Sequence, residues 1–202
     1  MAEKFDPYVR VIQSVLDLDD KDVYQKARYS LLHKIVSDAS HSSTNKWRYR
    51  HPDFYWSHGA VAELVRRYAP DMGPPCGDSF FLNVGRNETA RAIFHQEHVV
   101  PTKVVIDHLL GLRDPGSSEL ERILEAAVTV CIVTREENGR LLKDAMPLPT
   151  DFMNDRWARY RTPKDKGTAI HISPYSCAWK GKVMTFSPRC DPGDLKGAPQ
   201  IG

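Results

Sequence analysis

The chain has no closely spaced pair of cysteines. Its four, Cys76, Cys131, Cys177 and Cys190, lie far apart. A zinc ribbon or finger needs ligands in near pairs, so a cysteine-only metal site is not expected. No stretch approaches membrane-spanning length, and Met1–Asp6 has no apolar signal region. The expectation is a reduced, cytoplasmic protein with no membrane partner. There is no Walker A motif and no GxGxxG, so nucleotide- or dinucleotide-dependent chemistry has no support. No serine or cysteine sits in a recognisable nucleophile elbow. A strong excess of one charge is also missing. Lys and Arg number 28 against 26 Asp and Glu, a formal net charge of +2. Any nucleic-acid surface must therefore come from local clustering.

With 202 residues, 41% of them hydrophobic and 27% charged, the chain is long enough for one well-buried core, or a core with an appended lobe. No internal repeat or low-complexity tract interrupts it. Residues 7–17 read as a short helix opened by Pro7. A longer helix runs from about Asp22 to Ser37, with Val23, Ala27, Leu31 and Ile35 four apart on one face. A third starts near Pro52-Asp53 and stacks Val61, Leu64, Val65 and Tyr68. Gly73-Pro74-Pro75 then marks a boundary between a helical N-terminal region (1–72) and a mixed α+β region (76–202).

Beyond it, Ser79–Val84 and Ala90–Val99 carry strand signals, and a helix runs from Pro101-Thr102 to about Leu112. Ser118 and Glu121 form a capping-box pattern before the stripe Leu120, Ile123, Leu124, Ala127. The apolar run Val128–Val133 reads as a buried strand. Thr134 and Glu137 repeat the capping-box pattern at the next helix. Thr168–Ile172 and Ala178–Phe186, the latter around Lys180-Gly181-Lys182, read as strands. Without regular βαβ alternation, the class expected is α+β, with a helical N-terminal region and a small, partly antiparallel sheet.

The chemistry concentrates in Phe94-His95-Gln96-Glu97-His98-Val99-Val100-Pro101. An acid beside a histidine at a strand end suits phosphodiester hydrolysis. The carboxylate holds a cation and the imidazole takes a proton from water. Taken with strand 128–133 and the helix opening Thr134-Arg135-Glu136-Glu137-Asn138, Glu97-His98-Val99-Val100-Pro101 resembles the first motif of the His-Me finger (HNH) endonucleases. The resemblance implies two strands and a helix around one divalent cation, Mg²⁺ or Mn²⁺ ahead of Zn²⁺. It implies His98 as general base and Glu97 as metal ligand, with Asn138 or Glu137 completing the site. That family's loop between the strands is compact, so two helices would be inserted here.

Each residue also has a structural reading. Glu137 serves equally as a capping residue, and His98 as a core histidine. His108 lies on the apolar face of its helix. His95 is three residues from His98 in a strand, so the two face apart and a shared metal is not expected. His171, in the Thr168–Ile172 strand reading, is a remote candidate.

Two basic stretches interleave with rings. Lys46-Trp47-Arg48-Tyr49-Arg50-His51 alternates charge and ring, which suits backbone contact with stacking. Arg156-Trp157-Ala158-Arg159-Tyr160-Arg161, with Lys164 and Lys166, puts five basic residues against one acidic (Asp165) within 156–166, a local +4. The alternative is that Trp157 and Tyr160 anchor a surface helix while the cations are solvated. Asp53-Phe54-Tyr55-Trp56 reads as packing. Asp194-Leu195-Lys196 fits a D/E-x-K nuclease tripeptide but sits in a Pro/Gly-rich segment rather than a strand.

The sequence therefore points to a metal-dependent endonuclease, with DNA placed ahead of RNA, the cations above holding the phosphates, and a homodimer open. The rival is a non-catalytic nucleic-acid- or protein-binding module.

Overall fold

The computed structural model describes residues 5–18, 22–41, 54–72, 78–84, 93–147, 150–180, 182–189 and 195–200. Among them are seven helices and two small sheets: an α+β protein with helices at its N-terminus. The elements are α1 (Asp6–Leu16), α2 (Asp22–His41), β1 (Tyr55–Trp56), α3 (His58–Tyr68), β2 (Phe80–Asn83), β3 (Phe94–His98), α4 (Thr102–Gly111), α5 (Ser117–Ala127), β4 (Val130–Thr134), α6 (Arg135–Arg140), α7 (Ala158–Arg161), β5 (Tyr175–Lys180) and β6 (Val183–Pro188).

β4 is the centre of the first sheet, whose order is β1-β4-β3, with β1 parallel and β3 antiparallel to it. Its sequence, VCIVT, does not alternate because both faces are buried. Val130 and Ile132 enter a core with Trp56, Phe94 and Phe186. Cys131 and Val133 enter another with Trp157, Tyr160 and Ile170. Burying one such aliphatic side chain stabilises the fold by roughly 1.5–3 kcal/mol. The second sheet, β2-β6-β5, is wholly antiparallel. It meets the first through Phe186, whose ring stacks on Phe80 at 4.9 Å and takes the edge of Trp56 at 5.6 Å.

A third core is helical. Leu32 and Val36 of α2 pack with Val9 and Ile12 of α1, Val105, Ile106 and Leu109 of α4, and Leu120, Ile123 and Leu124 of α5. α5 buries the stripe read from its sequence. Packing also crosses segment 73–75, which itself lies outside the described residues: α3, before it, shares a core with Leu82, Met184 and Phe186, after it.

Four local readings change. α2 buries Leu32, Val36 and Ala39, whereas Leu31 is 45% exposed and Ala27 is exposed. Two apolar rows run along this helix, and the buried one includes Arg28, whose Nη2 donates to the Leu16 carbonyl at 3.1 Å. A charged residue in that row hid it. At α5 the N-cap is Gly116, with no side-chain cap, so Ser118 lies inside the helix rather than capping it. Residues 168–172 make only an isolated bridge, Ile172 to Ser57. The third helix, expected to start near Pro52-Asp53, begins instead at His58 with Ser57 as its N-cap. Before it lies β1, which exists because the Ser57 N–H donates to the Ile132 carbonyl and the Ser173 N–H to the Trp56 carbonyl, both at 2.8 Å.

Candidate active site

β3 ends at His98 because the chain turns at Val99-Val100, both fully buried, and Pro101 starts α4. What fixes that strand end is Arg159, from the helical turn α7. Its side chain is completely buried, yet Glu97 beside it retains 15% exposure. Nη2 donates to Glu97 Oε1 at 2.8 Å, and Nη1 donates to the His98 carbonyl at 2.9 Å. One guanidinium thus binds both the carboxylate and the backbone of the Glu-His pair. Its planar fork suits two divergent acceptors.

The other Glu97 oxygen, Oε2, lies 3.4 Å from His95 Nε2. Residues i and i+2 share a strand face, so the neighbour of Glu97 on its own strand is His95. Burial pushes the Glu97 pKa up. The hydrogen bond from His95 and the Arg159 charge outweigh burial and hold it below the ordinary carboxylate value. Glu97 is therefore a carboxylate already bound on both oxygens.

Glu97 and His98 open onto a pocket of about 440 Å³. Tyr29 and His33 of α2 form one wall, Thr102 and Lys103 of α4 another, and Lys143 and Asp144, after α6, the rim. His33, Lys143 and Asp144 are exposed. Lys103 pairs with Asp107 one turn along α4. None of Tyr29, His33, Lys103, Lys143 or Asp144 was singled out from sequence. Tyr29 and His33 lie four apart and so share a helix face, but only the packing of α2 on α4 brings that face to the end of β3.

The remaining expected site residues lie elsewhere. Glu137 completes the capping box of α6 with Thr134: the Thr134 N–H donates to Oε2 at 2.9 Å, and Thr134 Oγ1 accepts from the Glu137 N–H. The Ser57 hydroxyl also donates to Oε2, at 2.5 Å. The same carboxylate lies over Gly59, where an added Cβ would come within 2.5 Å of Oε1. Asn138 is half-buried on α6, and its carbonyl accepts from Leu141. Neither Glu137 nor Asn138 lines the pocket. His108 packs edge-on against Phe152 at 5.2 Å. The His171 carbonyl accepts from the His58 N–H at 2.8 Å.

Two of the donors expected for Mg²⁺ or Mn²⁺, Glu97 and Glu137, have their carboxylates hydrogen-bonded within the protein and do not share a site. Arg159 and His95 engage Glu97, and the cap and Ser57 engage Glu137. Among the described residues, no three His, Cys, Asp or Glu side chains are grouped to hold a metal ion.

The basic segment divides. Arg159, expected at a phosphate-binding surface, is inside instead, because Glu97 needs its charge there. Trp157 and Tyr160 are buried anchors meeting edge to face at 5.3 Å. Arg161 pairs with Asp155. Arg156 donates to Thr129 Oγ1 at 3.1 Å and lies 5.9 Å over the Trp157 ring. Lys164 and Lys166 are exposed. Lys46, Arg48 and Arg50 lie outside the described residues. Among the described residues, no helix is long and apolar enough to cross a membrane.

No family model matches this chain, and neither a curated protein nor a solved structure is detectably similar to it.

Proposed function

We propose that the protein cleaves phosphodiester bonds in nucleic acid, with His98 as general base. The observation that carries this reading is the rigid mounting of the Glu97–His98 strand end by buried Arg159, at the wall of a pocket that also presents a second imidazole and two lysines. A base works when its position is fixed, and an imidazole needs little tuning near neutral pH. The exposed Lys143 supplies positive charge that attracts a phosphate, while Lys103 is paired with Asp107. Lys164 and Lys166 would extend contact along the backbone, so binding should weaken steeply with salt. Mg²⁺ or Mn²⁺ would supply Lewis-acid help at the phosphate if it bound beside His98. No step is routed through it, since the carboxylates of Glu97 and Glu137 are hydrogen-bonded within the protein.

A second reading has its own observation. Arg159 neutralises Glu97 in a manner that would equally brace a purely structural strand end, leaving the pocket and surface lysines to bind nucleic acid or an acidic protein without cutting it. Cleavage of plasmid DNA and structured RNA by wild type and His98→Ala, each in Mg²⁺, Mn²⁺ and EDTA, separates the two. Cutting that disappears in the variant supports the enzyme. A folded wild type that cuts nothing, yet binds in a salt-sensitive way, leaves the binding module.

A further inference from the structure

We infer that the substrate is RNA, cleaved by attack of its own 2′-hydroxyl, with His33 as the general acid opposite His98. This rests on the phosphodiesterase reading of the same pocket. The pocket brings two imidazoles from different elements, His33 of α2 and His98 of β3, to one space of about 440 Å³. That falls within the roughly 300–1,000 Å³ usual for small-molecule sites, enough for a nucleotide and its 3′ phosphate.

The charges around these imidazoles set what they can do. Arg159 offsets Glu97. Lys103 is paired with Asp107. Asp144 stands beside Lys143 at the rim, and Tyr29 adds a hydroxyl from α2. What the wall offers directly is two imidazoles for proton transfer, with the exposed Lys143 in the same lining. Those groups suffice when the nucleophile is part of the substrate, because an adjacent hydroxyl attacks with a large intramolecular advantage. RNA carries that hydroxyl and DNA does not.

The step balances without any further reagent. The 2′-oxygen forms a bond to phosphorus as its proton passes to His98. The bond from phosphorus to the 5′-oxygen breaks, and that oxygen takes a proton from His33. The products are a 2′,3′-cyclic phosphate and a 5′-hydroxyl. Lys143, exposed in the pocket lining, is the cation available to the phosphate.

The test uses the full chain in EDTA. Its substrates are a mixed-sequence oligoribonucleotide, the same oligomer with 2′-deoxy sugars, and the four nucleoside 3′-(4-nitrophenyl phosphates). Nitrophenolate leaves without needing a proton, so that substrate reports on the base alone. The ribo-oligomer should be cut to 2′,3′-cyclic ends and the deoxy one left intact. His33→Ala and His33→Asn, at an exposed position, should melt like wild type. Both should lose about 10²–10⁴-fold on RNA, the usual worth of a general acid, while turning over the nitrophenyl esters near the wild-type rate. His98→Ala should lose both activities.

Cutting of the deoxy-oligomer, or cutting of RNA only once Mg²⁺ is added, would overturn the inference and leave the phosphodiesterase reading standing. Equal losses on both substrates in the His33 variants, or no loss, would rule out His33 as the general acid and overturn the inference. A folded wild type inert on every substrate, with and without Mg²⁺, would remove both readings.

Discussion

Arg159 and Glu97, 62 positions apart in sequence, meet at 2.8 Å in the interior, the guanidinium wholly buried and the carboxylate nearly so. Such a pair is sensitive to losing one member, because the survivor is left charged in a poorly solvating place. Arg159→Met should lower stability by about 3–5 kcal/mol in urea unfolding. The double variant Arg159→Met/Glu97→Leu should recover much of that loss. A single variant as stable as wild type would mean that the pair contributes nothing.

The same pair makes stability depend on acid. Glu97 has a folded pKa below its ordinary value of 4.5, so the folded state releases this proton more readily than the unfolded chain. Its contribution is complete above the unfolded pKa and is lost as pH falls from about there through the lowered folded value. Melting temperatures measured downward from neutral pH should drop across that window in wild type. The drop should be shallower in Arg159→Met/Glu97→Leu, which has nothing to protonate at this place.

Glu137 and Gly59 give a test whose sign reverses. Gly59→Ala alone puts a Cβ against the Glu137 carboxylate and dislodges it from Thr134 and Ser57. We expect a loss of about 1–2 kcal/mol, the worth of a cap with an added hydrogen bond. Glu137→Ala should cost about as much. In the Glu137→Ala background the obstacle is gone, and Gly59→Ala within α3 should then stabilise by up to about 1 kcal/mol. Chemical denaturation of the four proteins reads the reversal directly.

Burial governs the two described thiols. It pushes Cys177 up to about 12 and Cys131 also well above its ordinary value, Cys131 being raised further by the Glu137 charge. Neither should form thiolate at neutral pH in the folded state. With Cys76 and Cys190 replaced by serine, a disulfide reagent should modify both remaining thiols in urea and neither in native buffer. Rapid native labelling would contradict their burial.

Periodicity and end signals carried the fold as far as they are local. The Leu120, Ile123, Leu124, Ala127 stripe, the apolar run of β4 and the Thr134–Glu137 box each state a structure that neighbouring residues enforce. β1 could not be read this way. It has two residues, and its strand character comes from pairing with Cys131 and Ile132. The buried face of α2 was obscured because Arg28 occupies a core row, and its burial depends on a carbonyl from α1. For the candidate site, Glu97 and His98 stood out as an acid-histidine pair. Arg159 read as one cation in a basic segment, and His33 as nothing in particular. Both matter through neighbours that only tertiary packing supplies.

Both partners of β4 are made before it. As the chain is synthesised, Tyr55–Trp56 and Phe94–His98 emerge with nowhere to pair until Val130–Thr134 follows, and Arg159 comes later still. α4 and α5 separate β3 from β4, so no hairpin can form the sheet early. For much of its birth the chain therefore carries exposed, sticky strand segments, and its vulnerable interval is measured by the ribosome's progress rather than by the stability of the finished fold. Chains halted near the Asp114–Gly116 turn should be found in aggregates, and slowing translation before β4 should lower the yield of the complete protein.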